Sequence, residues 1–366
     1  EYTTTERVNP GDSLRTIPTI VAEEGSLPGF SMTYPIGTEQ NPVLITSANE
    51  LELLAGALSS DNGSYSQCID NFFHYWEGGT EKFAKYCYEI KQDTGSNAGF
   101  KNTYFYITAP TGTITLDDSW YGIGKLTTDT SAPFRGHIRA GRYQPNPTDE
   151  LTNQTMALSA GDQDTIIING SIGLFAYCDG ATIENIHVKG SIKDAKGTTD
   201  DPDSFLGVGG ICDYARNTTF SHCTNACKIE IDEDAESTCT GGIVGYGEDI
   251  IVDSCSNYGI INTIDPSWGK ENYSGGIVGR AVGTSTINFC YNVSNVKNKG
   301  YTGGIVGGSN GATISNCKNA GYVEATLAPS GLVGTETYGG GIAGYQMSNT
   351  NFLSCLNSGT VTADYC

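Results

Sequence analysis

Twelve cysteines, four histidines and 41 acidic residues carry most of the potential chemistry in this sequence. Five of the cysteines, Cys223, Cys255, Cys290, Cys317 and Cys355, hold one position of a repeated block, in "FSHCTN", "VDSCSN", "INFCYN", "ISNCKN" and "FLSCLN". A metal site would need several such ligands to converge, usually from two short-spaced pairs. Only one short-spaced pair occurs, Cys223 and Cys227, and no second pair completes it. In the first copy of the block, "IENIHV", Ile186 stands where the cysteine would be. A position that exchanges Cys for Ile asks for a small buried hydrophobe, so these five are expected as free thiols in a core. Cys68 and Cys87 flank one insertion and are suited to staple it. Cys178, Cys212, Cys227, Cys239 and Cys366 allow too many pairings to assign.

The acids gather in two stretches, "DAKGTTDDPDS" at 194–204 and "EIDEDAES" at 230–237. Asp200, Asp201 and Asp203 are close enough in sequence to wrap a calcium ion, the one cofactor the sequence suggests. Neither stretch matches an EF-hand or a calcium-binding nonapeptide, so a solvated acidic face is the expectation. His74, His137, His187 and His222 are isolated, and no HExxH, GxSxG or phosphate-binding loop occurs. A polysaccharide lyase would need clustered carboxylates and a base, and a hydrolase two carboxylates facing one cleft. No local pattern assembles either, so no catalytic residue is assigned and no enzyme is expected. Binding has better material in 21 tyrosines and three tryptophans. Trp268 and Tyr273, within "DPSWGKENYSGG" at 265–276, are expected to be exposed and to stack on a ligand.

The repeat spacing says what must position these residues. Aligned on the glycine before an apolar step, copies fall at Gly173, Gly210, Gly242, Gly276, Gly304 and Gly341, at intervals of 37, 32, 34, 28 and 37 residues. Apolar residues recur at steps of two among Thr, Ile and Val, in a chain with 48 glycines, which is a strand–turn–strand pattern. One such unit cannot bury its own apolar face, but units stacked about 4.8 Å apart make a continuous core. The expected fold is all-β: a right-handed parallel β-helix (β-solenoid) of about six or seven coils, with loop insertions and an N-terminal helical cap. Stacking would align Ile211, Ile243, Ile277, Ile305 and Ile342 in one column and the five cysteines in another. Asn225, Asn257, Asn292, Asn319 and Asn357 would form an amide ladder at a turn, each bonding the next coil.

For the cap, Ser47 to Glu50 fits a capping box, with Leu51, Leu54 and Leu58 on one helical face. "TEKFAKYCYEIKQ" at 80–92 is a second amphipathic helix candidate, with Phe83, Cys87 and Ile90 on one side. Residues 1–40 read as an extension or linker, 41–165 as cap and first coils, and 166–366 as regular repeats.

The "GGIVG" runs and "ISNCKNAGYV" blocks resemble the GLUG-motif repeats of bacterial cell-surface β-solenoid (pectin-lyase-like) proteins. "NPVLITSANELELLAGALSS" resembles the cap that opens such domains, and "ITLDDSWYGIG", "PFRGHI" and "SIGLFAYCDGATIENIHVKGSI" resemble the coils that follow. The resemblance spans residues 41–366 and departs at insertions 60–100 and 139–163, and at "GGICDY", which lacks the last glycine of the run. It implies an extracellular protein of the bacterial cell surface, acting in adhesion or ligand presentation, with a host or neighbouring-cell glycan or protein as partner. Two alternatives stand beside it: a structural stalk or filament component that self-associates, and a carbohydrate-active β-helix enzyme. The formal charge of −21 would repel a duplex or an anionic bilayer, so no nucleic acid is expected as partner. No run approaches the eighteen or so apolar residues of a membrane span, so membrane insertion is not expected either.

Overall fold

The structure, a computed structural model, describes residues 19–22, 37–39, 42–58, 63–77, 80–91, 98–109, 111–126, 131–141, 164–193, 206–231, 238–263, 271–325, 337–347 and 349–364, except the side chains of 19–22 and 68–88. Four parallel sheets run along a stack of coils. The first has nine strands, from Val43–Ile45 to Asn351–Leu353, and the second twelve short ones, from Thr113–Leu116 to Val361–Ala363. The third has six, from Phe175–Asp179 to Ala343–Gln346, and the fourth five, from Leu206–Gly209 to Tyr338–Gly340. The chain is a parallel β-helix. Its first sheet has nine rungs, more than the six or seven coils that the repeats suggest. Val43–Ile45, Tyr104–Ile107 and His137–Ala140 supply the extra rungs from the insertion-bearing region.

One coil illustrates the rest. Thr238–Gly241 lies in the fourth sheet, Val244–Glu248 in the third, Ile251–Asp253 in the first, and Ser256–Asn257 and Ile261–Thr263 in the second. Single residues with left-handed backbone turn the chain between sheets. Asn185, His222, Ser254, Phe289, Asn316 and Ser354, all with φ between 49° and 54°, make the bend into the second sheet. Small polar side chains tolerate that conformation, and five of these six residues are polar. Each bend delivers the next residue inward, so Ile186, Cys223, Cys255, Cys290 and Cys317 enter one core with the isoleucine column.

The two halves of the repeat motif interlock inside each coil. A Cβ on Gly242 would lie 2.6 Å from the Asn257 amide carbon, and one on Gly304 would lie 2.3 Å from that of Asn319. The second glycine of each pair makes room for the asparagine of its own coil. Asp213, in "GGICDY", marks where the fourth sheet begins. In later coils the equivalent residue, such as Gly245, abuts the fourth-sheet strand of the preceding coil. Leu206–Gly209 is the first strand of that sheet, so Asp213 has no such strand beneath it. Its buried carboxylate instead accepts from the Gly209 and Gly173 amides at 3.0 and 3.3 Å.

The expected cap helix forms at Ala48–Leu58 and buries Leu51, Leu54 and Leu58 in the main core. Its Glu50 reaches back to the backbone N–H and hydroxyl of Thr46, one residue earlier than a capping box on Ser47 would place it. The second helix candidate is instead the strand Thr80–Lys91, antiparallel to Ser64–Glu77 and to Thr19–Ala22. Its aromatic, β-favouring composition and a long partner strand outweigh the helical spacing of Phe83, Cys87 and Ile90. Backbone register puts Cys68 directly opposite Cys87 in that hairpin. Among the described residues no helix is long and apolar enough to cross a membrane.

Candidate functional site

At the corner between the third and fourth sheets the outer faces turn toward each other, and tyrosines fill the angle. Tyr273, Tyr301 and Tyr338 open successive strands of the fourth sheet and are in register. Along the third sheet Tyr177, Tyr214, Tyr246, Arg280, Gly308 and Tyr345 share one outward column. Tyr273 stacks on Tyr301 with ring centroids 4.8 Å apart, Tyr301 lies 4.5 Å from Tyr345, and Tyr214 stacks on Tyr246 at 4.8 Å. A Cβ on Gly308 would strike the Tyr273 ring at 2.3 Å, so the ring lies down on bare backbone. Guanidinium groups interleave the row: Arg280 sits 4.9 Å over Tyr273, and Arg216 sits 5.4 Å over Tyr214 while pairing with Glu248 at 2.8 Å. Stacking and cation–π contacts of this kind hold aromatic side chains rigidly.

Tyr273 is therefore not the exposed loop residue its neighbours in sequence suggest. It is 1% exposed, begins the strand Tyr273–Gly275, and donates its hydroxyl to Glu271 at 2.7 Å. Burial, helped by that carboxylate, raises its phenol well above the ordinary value. The signal that identifies it is Tyr-x-Gly-Gly, shared by Tyr273, Tyr301 and Tyr338, which makes it a position of the repeat. Trp268 and the three aspartates Asp200, Asp201 and Asp203 lie outside the described residues.

The segments that carry them have fixed anchor points. Strands of the second sheet end at Ile192, Ile231, Thr263 and Ala325, and the fourth sheet resumes at Leu206, Thr238, Tyr273 and Tyr338. In one coil only Lys299 and Gly300 make that crossing, between Asn298 and Tyr301. The connections from the second sheet to the fourth, which differ in length from coil to coil, thus share one corner of the stack and end at the sheet that carries the row Tyr273, Tyr301 and Tyr338.

The two ladders are built into the core and not into a surface. Asn225, Asn257, Asn292 and Asn319 each donate to the next asparagine at 2.8–2.9 Å, ending on Asn357. Each thiol has two carbonyls within reach of its one proton, one two residues earlier and one in the preceding coil. For Cys255 these are Asp253 at 3.3 Å and Phe220 at 3.7 Å. The cysteine position therefore uses a weak donor as well as a small hydrophobe. Burial raises the Cys255 thiol well above its ordinary value and pushes Cys227 up to about 12. Among the described residues no three His, Cys, Asp or Glu side chains converge as a metal site.

Two measurements test the thiol column. Alkylation of the native protein at pH 8, mapped by mass spectrometry, should leave Cys223, Cys255, Cys290 and Cys317 unlabelled, because all four are buried and access is closed. Labelling of Cys255 at the rate seen in denaturant would show that the column faces solvent. Cys255→Ser should destabilise by only about 1 kcal/mol, since the hydroxyl inherits two carbonyl acceptors, whereas Cys255→Ala should destabilise by about 2 kcal/mol.

Fold and corner together define a parallel β-helix with an aromatic-lined edge, beside which connections of different length end. No protein-family model and no curated protein matches the chain, so the GLUG-like repeats stand as a resemblance of motif. Among solved structures, one from Bacteroides ovatus described as a "putative immunoglobulin A1 protease" is similar at 16% identity, covering 89% of this chain and 78% of that one, with a TM-score of 0.42.

Proposed function

We propose that this protein is a non-catalytic β-solenoid of the bacterial cell surface that presents a binding surface, acting as an adhesin. The observation that carries this reading is the common origin of the unequal connections at one corner, over a tyrosine row that fixes their bases. The repeated part is built alike in every coil, and the connections from the second sheet to the fourth, which differ in length and composition, share their end points. That is the division of labour a binding scaffold needs. The ligand is a glycan or protein of the host or of a neighbouring cell.

The test replaces residues 264–270, including Trp268, by the dipeptide Lys-Gly, which keeps Glu271 on Tyr273 and the buried Asn272 on Thr238. The full chain is screened against arrays of glycans and matrix proteins, with calcium and with chelator. A specific hit that weakens at least about tenfold in the replacement, with thermal unfolding unchanged, supports the reading. Silence across both arrays would favour a structural stalk.

A further inference from the structure

The two ends of the coil stack are finished differently. At the first end the helix Ala48–Leu58 buries Leu51, Leu54 and Leu58 in the core. Among the described residues, all four sheets stop at the other end on strands of one coil. These are Tyr338–Gly340, Ala343–Gln346, Asn351–Leu353, Leu356–Asn357 and Val361–Ala363. Their outer edges present backbone N–H and C=O groups with no further rung to bond. Proteins ordinarily blunt such edges with charged side chains, proline or a bulge. These five strands contain no charged residue and no proline.

The inward side chains of this coil are those of an interior coil. Phe352 continues a column in which Ile314 is fully buried, yet it is itself 39% exposed. Asn357 accepts from Asn319 and donates to the Gly359 carbonyl, but the N–H that each earlier asparagine gives to the next rung has no rung to reach. The outward side chains change in the direction opposite to a solvated end. Before the bend out of the first sheet, three coils hold Asp253, Asn288 and Ser315, and the last holds Leu353. After that bend, three coils hold Ser256, Tyr291 and Lys318, and the last holds Leu356. The two leucines are 57% and 56% exposed. An apolar end face continued onto its flank marks an interaction surface.

Electrostatics point to the occupant. The chain carries a formal charge of −21, so two copies repel one another over most of their surfaces. Within 337–364 the only charged side chain among the described residues is Asp364, whereas 238–263, 271–298 and 299–325 each hold three. The end coil is therefore where two copies meet with least repulsion. The helix covers the opposite end, so like end must meet like end. A two-fold axis across the stack achieves this: it sets the last strands of the two copies antiparallel, so that their free edges bond, and it covers Phe352, Leu353 and Leu356 in both copies at once.

We infer that the last coil, residues 337–364, is a self-association surface through which two copies of this chain join end to end as a closed two-fold dimer. The inference does not rest on the adhesin reading. Both outward ends of the dimer carry the helical cap, so assembly stops at two and does not grow into a filament.

Sedimentation velocity of the full chain between about 1 and about 200 µM tests the assignment. The chain should pass from monomer to dimer with Kd on the order of 10 µM, as suits a small interface, and form nothing larger. Leu353→Lys and Leu356→Lys should each weaken association about tenfold or more. Their thermal unfolding at about 1 µM, where the monomer prevails, should match that of the parent. Leu53→Lys, at an exposed position of the cap helix, should dimerise as the parent does. Amide hydrogen exchange at high concentration should slow within 337–364 and not in the cap. A monomer at every concentration, a dimer untouched by both end-coil variants, a dimer lost in Leu53→Lys, slowing confined to the cap, or growth beyond two copies would overturn the assignment.

Discussion

Gly276→Ala should destabilise the protein by about 3 kcal/mol or more, an unusually large effect for one added methyl group. The new Cβ would lie 2.2 Å from the Gly304 carbonyl oxygen and 2.4 Å from the Asn292 amide carbon. Neither neighbour can withdraw. The carbonyl belongs to the corner of the next coil, and the amide is tied into the asparagine ladder on both sides. Relief would require spreading two coils, which breaks the in-register bonds of all four sheets locally. Gly180→Ala is the control. That residue has φ +76° but nothing within 4 Å of the new Cβ, so only the backbone preference opposes the change, at about 1–2 kcal/mol. Denaturant unfolding of both variants checks the contrast. Equal midpoints would mean that the corner yields easily and the glycine is not needed for space.

Asn292→Ala should lower stability by about 4 kcal/mol, through polar groups left unpaired in a dry interior. The side chain is fully buried. It donates to Asn319 and to the Ser294 carbonyl at 2.8 and 2.9 Å, and accepts from Asn257 and the Ser294 amide at 2.9 and 3.2 Å. Truncation leaves four buried groups each one bond short, on Asn257, Asn319 and the Ser294 backbone, and it cuts the ladder between two coils. Asn357→Ala removes the same kind of side chain from an exposed coil, where it bonds the Gly359 carbonyl and amide at 2.8 and 3.3 Å and accepts from Asn319 at 2.8 Å. Water replaces those partners, and the loss there should be about 1 kcal/mol. Similar losses at the two sites would show that the ladder gains nothing from burial and that its amides act independently.

The stacked columns were legible in the sequence because stacking turns a repeat period directly into vertical neighbours. Ile243, Cys255 and Asn257 needed only to be aligned with their later copies. The reason for the glycine pair was not legible, since Gly276 meets Asn292 only after the coil has closed on itself. Tyr273 was misplaced because "DPSWGKENYSGG" looks like loop when read alone, and its match to Tyr301 and Tyr338 emerges only from alignment. Residues 80–92 fit a helix by spacing and a strand by composition. The partner strand that decides between them, Ser64–Glu77, ends three residues earlier and has no helical or repeat signature of its own.

The shared origin of the variable connections also sets a pitch. Coils repeat every 4.8 Å or so, so the end points of successive connections are set at that interval along one edge. The two-residue Lys299–Gly300 crossing falls between the coils whose longer connections end at Tyr273 and Tyr338. Specificity on this edge would then be a property of the order of lengths, set by which coils carry long connections and which carry short ones. Exchanging the lengths of two adjacent connections should alter recognition even when every residue in them is kept.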